Sequence, residues 1–407
     1  MLRLVFTALL TLALPLTAAA ETYDLLYRAA IDPDTGKARV EIRLEGDTLP
    51  SELDLNLSSG RYTQLESEQP LELDGDRAIW QPSAPSASLS YLFEIDEQKG
   101  SGSYDSRITD DWAILRSDKL IPPISVTAER GLRSEAELHL ELPEGWSSAL
   151  PYAELGQDHH YRLKDPGRRF VRPKGWMIVG RIGSRQDFIA DVDAKIAAPL
   201  GEDIHRQDTL AFLGWNLPEL KKVFPDFPDQ LLVVSAGDPM WRGGLSGTRS
   251  LFMHADRPLI SGNRTSSMIH ELVHVATGIH GDDESDWIVE GIAEFYSLET
   301  LRRSGGISQR RYDQAMDELA EWGREAPNLF ERRSSGPITA RAVGIMRQVD
   351  EEIRDASGGK ANIDNVARGL AEDRGEVTLA KFRRLAEQAA GGPVKALDRD
   401  NLGDEPG

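Results

Sequence analysis

The stretch His270-Glu271-Leu272-Val273-His274 decides how the rest of the chain is read. On a helix, two histidines four positions apart project from one face about one turn from each other, so both imidazoles can reach a single metal ion. Glu271, between them, is badly placed to be a third ligand. It can stand beside an open coordination place and take a proton from a water there. Two imidazoles flanking a carboxylate are therefore the donor and base set expected of metal-assisted hydrolysis, with one zinc ion as the cofactor. The competing reading is an accidental match on a solvated helix, which is uncommon in a chain with only eight histidines.

A catalytic zinc takes three protein ligands and keeps a fourth place for water. The third is offered downstream. Gly278 and Gly281 bracket a polar loop, Ser285 or Asp286 can cap a helix, and Trp287-Ile288-Val289-Glu290-Gly291-Ile292-Ala293-Glu294-Phe295-Tyr296 follows with helical spacing. Glu290 is the expected third ligand. Glu294, one turn on, is expected to hold a ring N–H of one histidine; the alternative is a solvated helix carboxylate.

Over residues 270–296 the chain resembles the gluzincin peptidases, in which a His-Glu-x-x-His helix is followed by a helix reading Glu-Gly-x-x-Glu-Tyr or similar. The aminopeptidase N family and the glycyl aminopeptidase family, whose members usually carry a PDZ domain, share the pattern. Fifteen residues separate His274 from Glu290, against about eighteen in the aminopeptidase N pattern, so the connecting loop is shorter here. The resemblance implies a mainly helical, thermolysin-like catalytic domain and a peptide or protein substrate. It also implies zinc held by His270, His274 and Glu290, with Glu271 as the general base that later returns a proton to the leaving amine.

Two further stretches extend the resemblance. Trp241-Arg242-Gly243-Gly244-Leu245-Ser246-Gly247 precedes the histidine pair where gluzincins place a substrate-binding edge strand. Gly243, Gly244 and Leu245 are candidates for binding substrate, because a Gly-Gly pair lets backbone approach a peptide closely; a plain glycine-rich turn is the alternative. In aminopeptidase N relatives this motif goes on to an acidic residue that grips the substrate's amino group. Leu245-Ser246-Gly247 has none, which leaves Asp238 or an acid of the N-terminal domain as the replacement. The stretch around Gly344 resembles the glycyl aminopeptidase family, in which a tyrosine three residues earlier supports the oxyanion. Here that residue is Arg341. A fixed positive charge can do similar work, so Arg341 is a catalytic candidate, with a solvated helix charge as the alternative. Tyr312 is the fallback, and Tyr296 is expected to pack against its own helix. Aminopeptidase activity leads the expectations. Endopeptidase or oligopeptidase activity in the cell envelope, or a catalytically inactive peptide-binding scaffold, are the alternatives.

Residues 1–20 read as an export leader, with Arg3, an apolar run from Leu4 to Leu14 and Ala18-Ala19-Ala20 as the cleavage site. An uncleaved membrane anchor is the alternative. The chain has no cysteine, which with export fits a bacterial periplasm, secretion being the other possibility. The formal charge is −20, and losing Arg3 with no acid takes it to −21. That excess argues against nucleic acid as a partner and against stable association with an anionic membrane after leader removal.

Between residues 23 and 189 the signals are those of strands. Residues 23–31 and 38–44 flank Asp32-Pro33-Asp34-Thr35-Gly36, and 89–95 and 136–142 repeat the period of two. The class is α+β: a β-sandwich-like domain over 21–195, a mainly helical gluzincin-like domain over 196–390, and a polar tail over 391–407 expected to be disordered. Strands are expected at 231–235 and 250–254, and helices at 309–322, 340–356 and 379–390. Leu142-Pro143-Glu144-Gly145-Trp146 reads as a turn with a packed indole, and Arg172-Pro173-Lys174-Gly175-Trp176 as a basic turn before a strand. His159, His160, His205 and His254 read as structural or solvated, and His280 as a residue that could line the cleft.

Overall fold

The computed structural model describes residues 21–156, 159–165, 168–202 and 204–403. The leader reading at 1–20 lies outside the described residues. From Glu21 the chain enters the hairpin Thr22–Asp32 and Lys37–Glu45, paired from Asp24↔Glu45 to Asp32↔Lys37. Its turn is closed by Asp32, whose carboxylate accepts the Asp34 N–H at 3.0 Å and the Thr35 hydroxyl at 2.8 Å. Alternate residues Tyr23, Leu25, Tyr27, Ala29 and Ile31 face inward, as period-two patterning requires.

The hairpin is the middle of a seven-stranded sheet in the order Ala153–Glu154, His160–Leu163, Arg133–Glu141, Thr22–Asp32, Lys37–Glu45, Ser86–Glu94, Tyr62–Ser67. A four-stranded sheet and a five-stranded sheet containing Trp176–Gly180 close the inner side. Tyr27, Leu53, Trp80, Leu115 and Met177, drawn from all three sheets, share one core. Trp146 packs into the same core, as expected of its turn.

The boundary expected near residue 195 is corrected by the topology. The chain leaves the first set of sheets after Gly180, and Ile182–Ile189 already belongs to a different five-stranded sheet. That strand is an edge whose residues from Ser184 to Phe188 are exposed, so it carries no inward alternation to mark it as the start of a new sheet rather than the end of the first domain. The second sheet runs Ile182–Ile189, Val192–Pro199, Gln230–Ala236, Ser250–His254, Gly244–Gly247. Its central Gln230–Ala236 is parallel to both neighbours and buried from Leu231 onward, which explains the uninterrupted apolar run.

The polar stretch after residue 201, which reads as linker, forms the helix Arg206–Val223, with Leu213, Leu217 and Leu220 buried. Gly214, Asn216 and Pro218 weaken its local helical signal, and packing overrides them. Six further long helices follow: Ser267–Thr277, Asp286–Arg303, Gln309–Gly323, Pro337–Ser357, Ile363–Asp373 and Leu379–Ala390. Two of them cross at Gly291, where an added Cβ would lie 2.8 Å from the Ala342 Cβ. The tail expectation is also corrected. Val394, Ala396, Leu397 and Leu402 are buried, and the Leu329 N–H donates to the Leu402 carbonyl at 3.2 Å. Four apolar residues in a polar stretch were enough to dock it once a surface was there to receive them. Among the described residues, no helix is long and apolar enough to cross a membrane.

Candidate metal centre

The helix Ser267–Thr277 starts at Ser266, whose hydroxyl accepts the Ile269 N–H at 3.3 Å. It ends at Gly278, which adopts φ 59° and donates its N–H to the His274 carbonyl. Met268, Ile269, Leu272, Val273, Val275 and Ala276 are buried, leaving His270, Glu271 and His274 partly open on the remaining face. The helix Asp286–Arg303 packs against it and presents Glu290 and Glu294. Neither candidate cap of that helix bonds its first turn through its side chain. The Ser285 hydroxyl accepts the Leu379 N–H at 3.1 Å, and Asp286 accepts the Ser334 N–H at 2.6 Å.

The two Nε2 atoms of His270 and His274 lie 3.1 Å apart. Glu290 places Oε2 3.2 Å from the first and Oε1 3.5 Å from the second. Among the described residues, these three form the only group of three or more ligating side chains, with their donor atoms all within 4.8 Å of one another. On the far side of His270, Nδ1 lies 3.0 Å from Glu294 Oε2. An Nδ1–H given to that carboxylate fixes the tautomer and leaves the Nε2 lone pair aimed at His274 and Glu290. Two imidazole nitrogens and a carboxylate converging on one point are a donor set that fits zinc.

Electrostatics reflect the crowding. Burial opposes a charge on His270, but Glu290 and Glu294 outweigh it and raise its pKa well above the ordinary imidazole value. His274 is driven the other way, to about 4, by burial and then by His270. Burial also opposes the Glu290 charge, yet the two histidines hold its carboxyl below the usual range. Glu271 is raised, chiefly by burial, with Glu290 adding to it. A carboxyl raised in this way is a better proton acceptor at neutral pH than a solvated one.

Glu271 lies under the edge strand. A Cβ on Gly244 would sit 2.7 Å from the Glu271 Cγ, so a larger residue there would displace the side chain. Ser246, two residues along, turns its hydroxyl and amide toward the same carboxylate. Gly243 is enclosed by the Trp241 ring, and the Leu245 carbonyl accepts the Trp176 indole N–H at 2.8 Å. Sequence reasoning gave no role to Ser246 or Trp176, because a lone serine and a lone indole carry no pattern.

No protein-family model and no curated protein sequence matches this chain. Solved structures do. An aminopeptidase N family protein from Idiomarina loihiensis superposes with TM-score 0.62 at 15% identity, over 92% of this chain and 72% of that one. The fold is that of the aminopeptidase N proteins. Legionella pneumophila aminopeptidase A, in complex with aspartic acid, gives 0.57 at 13% identity over 96% of this chain. Leukotriene A4 hydrolase from Saccharomyces cerevisiae gives 0.55 at 12% over 91%. This chain spans 50% of the Legionella enzyme's length and 64% of the yeast one's.

Two candidates are not brought to the centre. Arg341 donates to the carbonyls of Ala326 at 2.9 Å and Asn401 at 2.7 Å, so its guanidinium holds the C-terminal segment. Tyr312 lies under the Arg302 guanidinium, and burial followed by the Glu299 charge raises its pKa. The oxyanion expectations for both residues are corrected accordingly: that for Arg341 rests on its spacing from Gly344 and that for Tyr312 on its being the fallback tyrosine after His274, and neither criterion registers helix rotation. Tyr296 is buried, with its hydroxyl on Asp364 at 2.7 Å. Asp238 is ion-paired to Arg242 and lies 3.4 Å from His254 Nε2, so its carboxylate is already occupied.

Proposed function

We propose that this chain is a zinc-dependent peptidase in which His270, His274 and Glu290 hold one zinc ion and Glu271 is the general base. The observation that carries the reading is the convergence of the two Nε2 atoms and the Glu290 oxygens beside Glu271. Zinc, when bound, supplies Lewis acidity toward a water and a scissile carbonyl. Glu294 keeps the His270 ring oriented through Nδ1. Glu271 accepts the water's proton and returns it to the leaving amine, and its raised pKa suits both transfers. Gly244 gives that carboxylate its room, and Ser246 steadies it.

Metal analysis of purified protein is expected to give close to one zinc per chain, and a preparation that takes up no zinc at neutral pH removes the reading. Aminopeptidase action is supported by the fold neighbours, which carry that name. Endopeptidase action is favoured by a specific observation: Leu245-Ser246-Gly247 carries no acid to grip an ammonium group, and Asp238 is paired with Arg242. Desolvating an ammonium with no partner costs several kcal/mol, on the order of the binding energy available. Cleavage of a peptide and its N-acetylated twin, located by mass spectrometry, separates the two. Equal cleavage excludes a need for a free amino terminus. We also propose export to the periplasm, on the strength of the leader-like residues 1–20 and the absence of cysteine; a mature amino terminus at Glu21 in a periplasmic extract is the test.

A further inference from the structure

The chain holds 47 Lys and Arg against 67 Asp and Glu, so a basic cleft runs against its composition. One cavity of about 600 Å³ is such a cleft. Among the described residues, Lys164, Arg168, Arg172, Lys174, Arg249 and Arg374 line it, against Asp165 and Asp229. Like charges held together around a cavity repel one another unless an anion joins them.

The internal partners do not neutralise this group. Lys174 and Arg168 share the single carboxylate of Asp165, at 2.9 and 3.6 Å. Arg172 donates to the carbonyls of Asp118 and Ile121, and Arg374 to that of Asp226, so both meet neutral acceptors. Arg249 stacks on the Tyr152 ring at 4.5 Å. The Nε atoms of Arg172 and Arg249 are buried without a hydrogen-bond partner. Among the described residues, none of these three arginines is ion-paired to a carboxylate.

Position ties the cavity to the metal centre. Thr248 and Arg249 form the turn between the edge strand Gly244–Gly247 and Ser250–His254, and Gly278 ends the helix that carries both histidines. The edge strand and the histidine helix therefore both run out at this cavity. From Gly244, which lies over Glu271, to Thr248 is four residues of extended chain, or about 13 Å. The basic turn over residues 172–176 is fixed to the same hairpin. The Trp176 N–H donates to Ser250 Oγ at 2.8 Å, and a Cβ on Gly175 would lie 2.3 Å from the Thr248 carbonyl oxygen. A second cavity of about 470 Å³ continues the cleft past Arg116 and Lys119, sharing Arg172, Lys174 and Thr248.

We infer that this cleft is a subsite for acidic side chains of a peptide substrate, about four residues from the scissile bond. The inference rests on the peptidase reading for the identity of its ligand. Guanidinium groups with free N–H donors suit carboxylates, which they can meet through two parallel hydrogen bonds.

The test separates binding from turnover. Fluorescent peptides carrying a Glu pair four residues from a common central segment, on either side, are compared with Gln twins by anisotropy, using zinc-loaded Glu271→Gln protein. The acidic peptide on one side is expected to bind about tenfold tighter than its twin, and 300 mM NaCl to shrink that ratio. The double variant Arg249→Gln/Arg374→Gln should bring the ratio close to one. If it does not fold by circular dichroism, Lys164→Gln/Arg168→Gln, at exposed positions, should lower the ratio in its place. Equal affinity for the twins, or a ratio untouched in a folded variant, overturns the inference. So does displacement by millimolar inorganic phosphate with no preference between the twins, which would mean a small-anion site. Arginine-dependent binding of acidic peptides by a wild-type enzyme that cleaves none of them would support the subsite and overturn the peptidase reading alone.

Discussion

Glu294 and Glu299 stand five positions apart on the helix Asp286–Arg303, and both carboxylates are shielded from water, with side chains 17% and 6% exposed. Their surroundings differ in kind. Glu299 accepts from Arg302 at 2.9 Å and Arg303 at 2.7 Å. Arg303 also bonds Asp364 through both terminal nitrogens, at 2.9 and 3.0 Å, and Asp364 takes the Tyr296 hydroxyl. Two carboxylates there meet two guanidinium groups. At the other end, Glu271, Glu290 and Glu294 face two imidazoles whose nitrogens already crowd each other at 3.1 Å. One cluster is neutralised by its own residues, whereas in the other, three carboxylates outnumber two imidazoles, an imbalance that a bound cation would offset. Buried charge that the chain itself balances holds the fold, and buried charge left over marks where chemistry can occur.

The largest effect that would break this contrast belongs to Glu271→Gln. Peptide hydrolysis should fall about 10³-fold, while zinc content and melting temperature stay as in the wild type, because burial already disfavours the Glu271 charge. Activity that survives in the variant would remove Glu271 as the base.

Asp364→Ala comes next, and acts on the fold. It leaves Arg303, whose side chain is 18% exposed, with Glu299 as its remaining carboxylate and takes the acceptor from the Tyr296 hydroxyl, and should lower stability by about 2–3 kcal/mol in denaturant titration, with zinc stoichiometry of the folded fraction unchanged. Burial opposes the Asp364 charge, but Arg303 holds its carboxyl below the usual range, and Glu299 is lowered by Arg302 and Arg303 in the same way. For a lowered carboxyl pKa, the stabilisation is present above the unfolded value of about 4 and is lost as pH falls through the folded one. Melting temperature should therefore drop on acidification below that range, and less steeply in Asp364→Asn. Identical slopes in the two proteins would detach the cluster from acid stability.

Glu294→Gln should weaken zinc affinity by about 10- to 100-fold in chelator competition, since His270 loses the carboxylate that orients its ring. An unchanged affinity would move Glu294 to the structural side of the contrast. The smallest effect on chemistry is expected of Arg341→Gln, which should cost about 1–2 kcal/mol of stability through its two carbonyl contacts and change turnover less than twofold. A hundredfold loss of turnover would restore Arg341 to the catalytic list.

Features that depend on local spacing were legible in the amino-acid sequence. Period-two alternation marked the hairpin that centres the first sheet, and the apolar run at 231–235 marked the buried parallel strand. Histidines four positions apart, and glutamates four apart on the next helix, set which faces could meet a metal. Spacing along one element survives folding because helical and strand geometry are properties of the backbone alone.

Which elements adjoin was settled in three dimensions. An edge strand's polarity hid the true start of the second sheet at Ile182, and four apolar residues in a polar tail became docked chain. The rotation of Pro337–Ser357 sent Arg341 to the Ala326 and Asn401 carbonyls, and Gly244 came to lie over Glu271. Each of these depends on contacts between residues far apart in the chain, whose energies come from packing and desolvation that no local pattern encodes.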